Sequence, residues 1–165
     1  MLTAVGLGPG DAELLTLKAV RLLQEADTVF VPGGIAYDLV KPYCENIVTL
    51  DFPMTRDEAE ISRCMEENAE KILPAAKNGS AVFGLIGDPN YYSTFSRLAE
   101  AVRRLDSSVV VETIPGISSI TAVASHAKIP VNGAFLVTDG PAEPTTKIVM
   151  KVTRPQEKKA ELEAE

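Results

Sequence analysis

A short stretch in the middle of the chain constrains the fold most strongly. It occupies residues 81–95 and reads AVFGLIGDPNYYSTF. A continuous apolar run ends at Gly87-Asp88-Pro89 and a helical pattern begins near Ser93, which is typical of a strand, a loop and a helix in succession. In open α/β sheets, ligands bind beyond the carboxyl ends of the strands. The stretch therefore predicts an α/β sheet with a ligand site close to Asp88.

Asp88 itself has two interpretations. Its carboxylate could bind a ribose hydroxyl or an ammonium group of a ligand at the sheet edge. Alternatively, it could close an Asx turn before the helix, which needs no ligand. The sequence does not choose between them.

Composition narrows the class of partner. The 165 residues are 45% hydrophobic, enough for a sizeable core, and the formal net charge of −7 argues against a nucleic-acid surface. Cys44 and Cys64 lack metal-ligand spacing, so we expect reduced thiols and no metal site. No leader pattern and no apolar run of about 18 residues is found. We therefore expect a cytoplasmic protein that binds small molecules and neither nucleic acid nor membrane.

The rest of the chain alternates between strand-like and helix-like patterns. Strands are predicted at residues 2–5, 28–31, 46–50, 81–86 and 109–114, and helices at 15–26, 38–43, 56–77 and 95–105, with a last helix ending at Ala127. Two more strands are predicted at 134–138 and 147–152. The order strand, helix, strand predicts a mainly parallel sheet with helices on both faces and right-handed crossovers.

Three further features have both a structural and a ligand-binding interpretation. The glycine-rich loop after the first strand resembles a phosphate cradle, but it lacks Gly-Lys-Ser/Thr, and Pro9 removes a backbone N–H. Ser118 and Ser119 could cap a helix, bind a carboxylate or ribose, or do both. The single histidine, His126, is more typical of a helix end than of a catalyst.

Three blocks, taken in order, resemble the tetrapyrrole methylase family, whose members use S-adenosylmethionine to methylate corrin and porphyrin precursors. They are VGLGPGD at residues 5–11 with LLT at 14–16, GDP at 87–89, and IPGISS at 114–119. Within the family, NYYSTF at 90–95 and LKAVRLL at 17–23 look most like the C20-methyltransferases that act on precorrin-2 or cobalt-factor II. The resemblance covers residues 1–152.

This resemblance implies S-adenosylmethionine as the cofactor and a tetrapyrrole as the substrate. The positions matching the cofactor pocket are Pro9, Gly87, Asp88, Tyr91, Ser118 and Ser119, and those facing the tetrapyrrole are Gly8, Gly10 and Asp11. Methyl transfer is an in-line displacement that needs positioning rather than a covalent nucleophile. The base that removes the C20 proton is not identified. The cations that could meet substrate carboxylates, or simply be solvated, are Lys18, Arg21, Lys41 and Arg56.

The resemblance also implies two α/β domains with the cofactor between them, and a homodimer. We expect an N-terminal methylase domain at residues 1–129, and at 130–165 a remnant of a truncated second α/β domain with a charged tail. Three alternatives stay open: another corrin methylase, diphthine synthase, and a truncated cofactor-binding paralogue without activity.

Overall fold

The computed structural model describes residues 1–133, 135–137, 156 and 159. The chain divides into two compact units, Met1–Ala122 and Val123–Glu165. The first unit is an α/β sheet domain and contains all the strands among the described residues.

Five parallel strands form one sheet. They are β1 (Leu2–Gly6), β2 (Thr28–Val31), β3 (Ile47–Thr49), β4 (Ala81–Leu85) and β5 (Val111–Ile114), in the spatial order β3-β2-β4-β1-β5. The central strands β1 and β4 are buried throughout, as expected for strands covered on both faces. This confirms the predicted parallel sheet.

Helices cover both faces of this sheet. They are α1 (Leu17–Glu25), α2 (Ile35–Val40), α3 (Glu58–Asn78) and α4 (Phe95–Leu105), and a 3₁₀ turn (Ala12–Leu14) precedes α1. A fifth helix, α5 (Ser119–His126), follows β5. Residues of α3 and α4 share one hydrophobic cluster with alternate residues of the strands, whereas α1 and α2 share a second cluster. The sheet is therefore the middle layer of a three-layer α/β fold.

The strand order creates a crevice between β1 and β4. The connection from β1 leads to β2 on one side, and the connection from β4 leads to β5 on the other. Crossovers of the usual right-handed kind that run in opposite directions take their helices to opposite faces of the sheet. The hydrophobic clusters agree, since α1 packs with Val5 on one face and α4 packs with Phe83 on the other.

Local sequence explains where the helices begin. The Thr16 hydroxyl caps α1 by accepting from Ala19 N at 3.1 Å, and the Asp57 carboxylate caps α3. The start of α4 has a different arrangement. Thr94 occupies the cap position without a side-chain cap bond, whereas the Ser93 hydroxyl accepts from Phe95 N at 3.0 Å.

The start of α4 is also fixed by packing. The Phe95 ring stacks on Phe83 of β4 with the ring centroids 5.9 Å apart. This contact fixes the end of the loop that contains Asp88.

Most predicted elements differ from the observed ones only at their ends. The largest difference is at α2, predicted at residues 38–43, because Gly34 at φ 54° allows the helix to begin at Ile35. Of the predicted strand 134–138, residues 135–137 are described and are not in a strand; its other residues, and the predicted strand 147–152, lie outside the described residues.

Candidate functional site

The loops after β1, β4 and β5 meet at one edge of the sheet. Gly6 pairs with Leu85 and Val5 with Ile114, so the three strands end at nearly the same level. The first block singled out in the sequence therefore follows the strand that lies between the strands of the second and third blocks. The prediction that Gly8, Asp88 and Ser118 follow strands that end at one edge is confirmed.

Three glycines allow the loops to touch through main-chain atoms. A Cβ built on Gly116 would lie 2.2 Å from the Gly87 carbonyl oxygen, and one built on Gly6 would lie 2.5 Å from Gly116 N. Both distances are far below van der Waals contact. Glycine at positions 6 and 116 therefore brings the ends of β1, β4 and β5 closer together than any other residue would.

The β1 loop is joined to the β4 loop by hydrogen bonds across the crevice. Leu7 N donates to the Leu85 carbonyl oxygen at 2.8 Å, and Gly87 N donates to the Gly8 carbonyl oxygen at 2.7 Å. Gly8 and Gly87 have φ angles of 75° and 80°, in the left-handed region that favours glycine. The two predicted site loops are therefore held in register by their own backbones.

The Asp88 carboxylate lies beneath these loops and binds main-chain amides of two of them. Its Oδ1 accepts from Asn90 N at 2.8 Å, and its Oδ2 accepts from Gly116 N at 3.1 Å. The residue is buried, with 8% of its surface exposed. The Asx-turn interpretation is confirmed, and the second bond joins the β4 loop to the β5 loop. A second, longer hydrogen bond also joins the β4 loop to β5, since Asn90 Nδ2 donates to Thr113 Oγ1 at 3.3 Å.

The other predicted site residues surround this framework. Ser118 and Ser119 lie at the start of α5, where Ser118 Oγ accepts from Ile120 N at 3.2 Å. A hydroxyl group that accepts a hydrogen bond can still donate one. Pro9 and Gly10 are partly buried in the β1 loop, and the Asp11 carboxylate caps the 3₁₀ turn by accepting from Glu13 N at 2.9 Å.

Several large apolar residues are exposed near the carboxyl ends of the strands. Tyr91 and Tyr92, directly after the Asp88 loop, are 59% and 44% exposed, and Tyr92 has a φ of 49°, which is rare for a bulky residue. The other large, exposed apolar residues that lie between a strand end and the following helix, or in its first turn, are Leu14, Leu17, Ile35, Met54 and Ile86. Such clustering is typical of a surface that receives an apolar ligand or partner.

The other charged groups considered in the sequence have no comparable role at the sheet edge. The four cations considered for substrate carboxylates are all exposed, and His126 is exposed in the last turn of α5. Among the described residues no group of acidic, cysteine and histidine side chains could hold a metal ion. Burial raises the pKa of the Cys44 and Cys64 thiols, which disfavours the reactive thiolate. In the described part of the chain, no helix is long and apolar enough to cross a membrane.

The three loops offer backbone groups and the Ser118 hydroxyl to a ligand, rather than a set of metal-binding side chains, among the described residues. Groups of this kind suit a ligand that is recognised by hydrogen bonds. A Cβ built on Gly87 would meet no atom of the described residues within 4 Å. Sequence analysis identified the three loops but missed the structural role of Gly116 and Asn90. The glycine of the IPGISS block could have indicated the role of Gly116. No sequence pattern indicated the role of Asn90.

Comparison with known proteins shows the family to which this chain belongs. Residues 1–159 match the model of the family described as tetrapyrrole (corrin/porphyrin) methylases, and the chain belongs to this family. A probable cobalt-precorrin-2 C(20)-methyltransferase from Methanocaldococcus jannaschii is 40% identical over 134 residues, which is 76% of this chain and 56% of the relative. A uroporphyrinogen-III C-methyltransferase from Cyanidium caldarium is 38% identical over 128 residues, 76% of this chain and 49% of the relative.

A solved structure of the same class contains a cofactor product. The crystal structure of uroporphyrin-III C-methyltransferase from Thermus thermophilus complexed with S-adenosylhomocysteine is similar, with a TM-score of 0.52 and 28% identity. The similarity covers 74% of this chain and 47% of that one. This chain therefore spans about half the length of the relatives it matches. Tetrapyrrole methylases use S-adenosylmethionine, so the predicted family and its cofactor class are supported.

Proposed function

We propose that this protein is an S-adenosylmethionine-dependent methyltransferase of corrin biosynthesis that methylates C20 of precorrin-2 or cobalt-factor II. The observation that carries the proposal is the 40% identity to the probable cobalt-precorrin-2 C(20)-methyltransferase. The loops that follow β1, β4 and β5 in this chain also meet at one edge of the sheet, as described above. The sequence run from Asn90 to Phe95, which resembles C20-methyltransferases, continues directly from the central loop.

In this proposal, the cofactor binds where the loops after β1 and β4 meet. Pro9, Gly87 and Tyr91 border it from two loops, with Ser118 and Ser119 at the start of α5. S-adenosylmethionine supplies a sulfonium-bound methyl group, and the residues of this chain orient it for in-line displacement. Asp88 was assigned to the pocket with them, and its carboxylate already binds two backbone amides.

The substrate lies on the Gly8-Pro9-Gly10-Asp11 side of the crevice. The exposed apolar rim supports a large flat substrate, because a tetrapyrrole presents apolar ring faces as well as carboxylates. Tyr91 and Tyr92 can stack on such a face. The exposed Lys18, Arg21, Lys41 and Arg56 are the candidates for its carboxylates.

Titration calorimetry with S-adenosylhomocysteine tests the cofactor site directly. Ser119→Ala should weaken binding about fivefold, since a neutral hydrogen bond contributes about 1 kcal/mol. Ser96→Ala, an exposed serine in α4, is the matched control and should bind as the wild type does. Lack of binding by the folded wild-type protein would refute the cofactor assignment.

Substrate specificity needs a competition between acceptors. The 38% identity to a uroporphyrinogen-III C-methyltransferase supports a second candidate, methylation of uroporphyrinogen III. Transfer of labelled methyl groups to precorrin-2 or cobalt-factor II, and not to uroporphyrinogen III, is the expected result. The reverse preference would select the second candidate. Cofactor binding without transfer to any tetrapyrrole would select a non-catalytic binding protein.

We also propose a homodimer, in keeping with the family resemblance, and a cytoplasmic location. Light scattering at micromolar concentration measures the mass. A strictly monomeric mass for the wild-type chain would contradict the dimer.

A further inference from the structure

The Asp88 carboxylate is placed to hold two loops rather than to face solvent. Both of its oxygens accept backbone N–H groups, from Asn90 in its own loop and from Gly116 in the loop after β5. Only 8% of the residue is exposed. Hydrogen bonds from amides to an ionised carboxylate are stronger than those between neutral groups.

We propose that Asp88 is a positioning residue that holds the β5 loop against the β4 loop, and so keeps the proposed cofactor site in its binding geometry. The inference rests on the proposed cofactor site and assigns a role to one of its residues. In this role Asp88 acts through Gly87 and Gly116, and its carboxylate does not bind the cofactor.

The backbone packing explains why one carboxylate can have this effect. Gly116 and Gly87 are in main-chain contact, so a movement of either loop changes the position of the other. Gly87 is in turn hydrogen-bonded to Gly8 across the crevice. The bond between Asp88 and Gly116 therefore restrains the β5 loop against a β4 loop that is already held by β1.

Loss of this restraint should reduce cofactor affinity without any lost contact to the cofactor. If the loops occupy the binding geometry for only a fraction of the time, the apparent dissociation constant rises by the inverse of that fraction. A fraction of one tenth gives a tenfold loss, which corresponds to about 1.4 kcal/mol.

Asp88→Asn is the most conservative test. The asparagine Oδ1 can still accept from Asn90 N and keep the turn, but the amide group that replaces Oδ2 cannot accept from Gly116 N. Should this variant fold poorly, Asp88→Ser serves instead, since serine also supports such turns and is too short to reach Gly116.

The matched control is Asp106→Asn. Asp106 also accepts from a backbone amide two residues later, Ser108 N at 3.0 Å, but it follows α4 at the opposite edge of the sheet. Its loss should lower stability and leave cofactor affinity unchanged.

Two measurements on the folded proteins decide the role. Calorimetry with S-adenosylhomocysteine should show about a tenfold weaker affinity for Asp88→Asn, and hydrogen exchange should be faster at the Gly116 amide. Weaker affinity with unchanged Gly116 exchange would mean that the carboxylate binds the cofactor directly, and would overturn the proposal. Unchanged affinity with faster exchange would leave Asp88 a merely structural residue and would also overturn it. If the wild-type protein does not bind S-adenosylhomocysteine, the cofactor site itself is refuted, and the positioning role falls with it.

Discussion

Replacing Gly116 by alanine should be the most damaging single-methyl addition at the sheet edge. The new Cβ would lie 2.2 Å from the Gly87 carbonyl oxygen and 2.7 Å from the Gly6 carbonyl carbon. Because carbon and oxygen atoms approach to about 3.3 Å even in close contacts, the chain must separate by about 1 Å. The neighbours are main-chain atoms of two strand ends, so no side-chain rotation can relieve the clash.

The expected cost has two parts. Overpacking of this kind costs roughly 1–3 kcal/mol. A shift of 1 Å also breaks or weakens the 3.1 Å bond from Gly116 N to Asp88 Oδ2, and hydrogen bonds to charged groups contribute about 1.5–3 kcal/mol. We expect Gly116→Ala to lower the free energy of unfolding by about 3–5 kcal/mol. This is a large part of the 5–15 kcal/mol that is typical of a domain.

Urea denaturation of three alanine variants separates packing from backbone strain. Gly87→Ala places its Cβ in open space, but at φ 80°, so it should lose only about 1–2 kcal/mol. Gly133→Ala has neither a clash nor a positive φ and should change stability by less than about 0.5 kcal/mol. If Gly116→Ala were as stable as Gly133→Ala, the close approach of the three strand ends would be wrong.

Three further predictions concern the stability of the fold. The pKa of Asp106 is held well below its usual range by a hydrogen bond from Lys77, so its contribution to stability should be complete above about pH 4 and should disappear as the pH falls further. The difference in unfolding free energy between the wild type and Asp106→Asn, measured from pH 7 to pH 2, checks this sign. Thr16→Ala should lose about 1 kcal/mol in urea denaturation through the α1 cap, whereas Thr16→Ser should lose much less. Ile72→Ala, at a fully buried position of α3, should lose about 2–5 kcal/mol in the same assay, and a smaller loss would contradict its place in the core.

Local sequence determined the elements of this fold to a large extent. The apolar run from Ala81 ends where a glycine, an aspartate and a proline follow one another, and β4 ends there in the structure. Strand β2 and helix α4 have the predicted ends, because turn residues and apolar periodicity are local properties of the chain. The order of strands and helices then sufficed for a parallel sheet with the three loops at one edge.

Long-range contacts decided what the site residues do. From sequence, the Asp88 carboxylate could close a turn or bind a ligand. The Asx turn to Asn90 is local and was one of those alternatives, but the bond to Gly116 joins residues 28 positions apart. Likewise, nothing in the sequence near Gly6 or Gly116 shows that these two residues touch. That contact exists because β1 lies between β4 and β5, and strand order is set by how the whole sheet packs between its helices, not by any one segment.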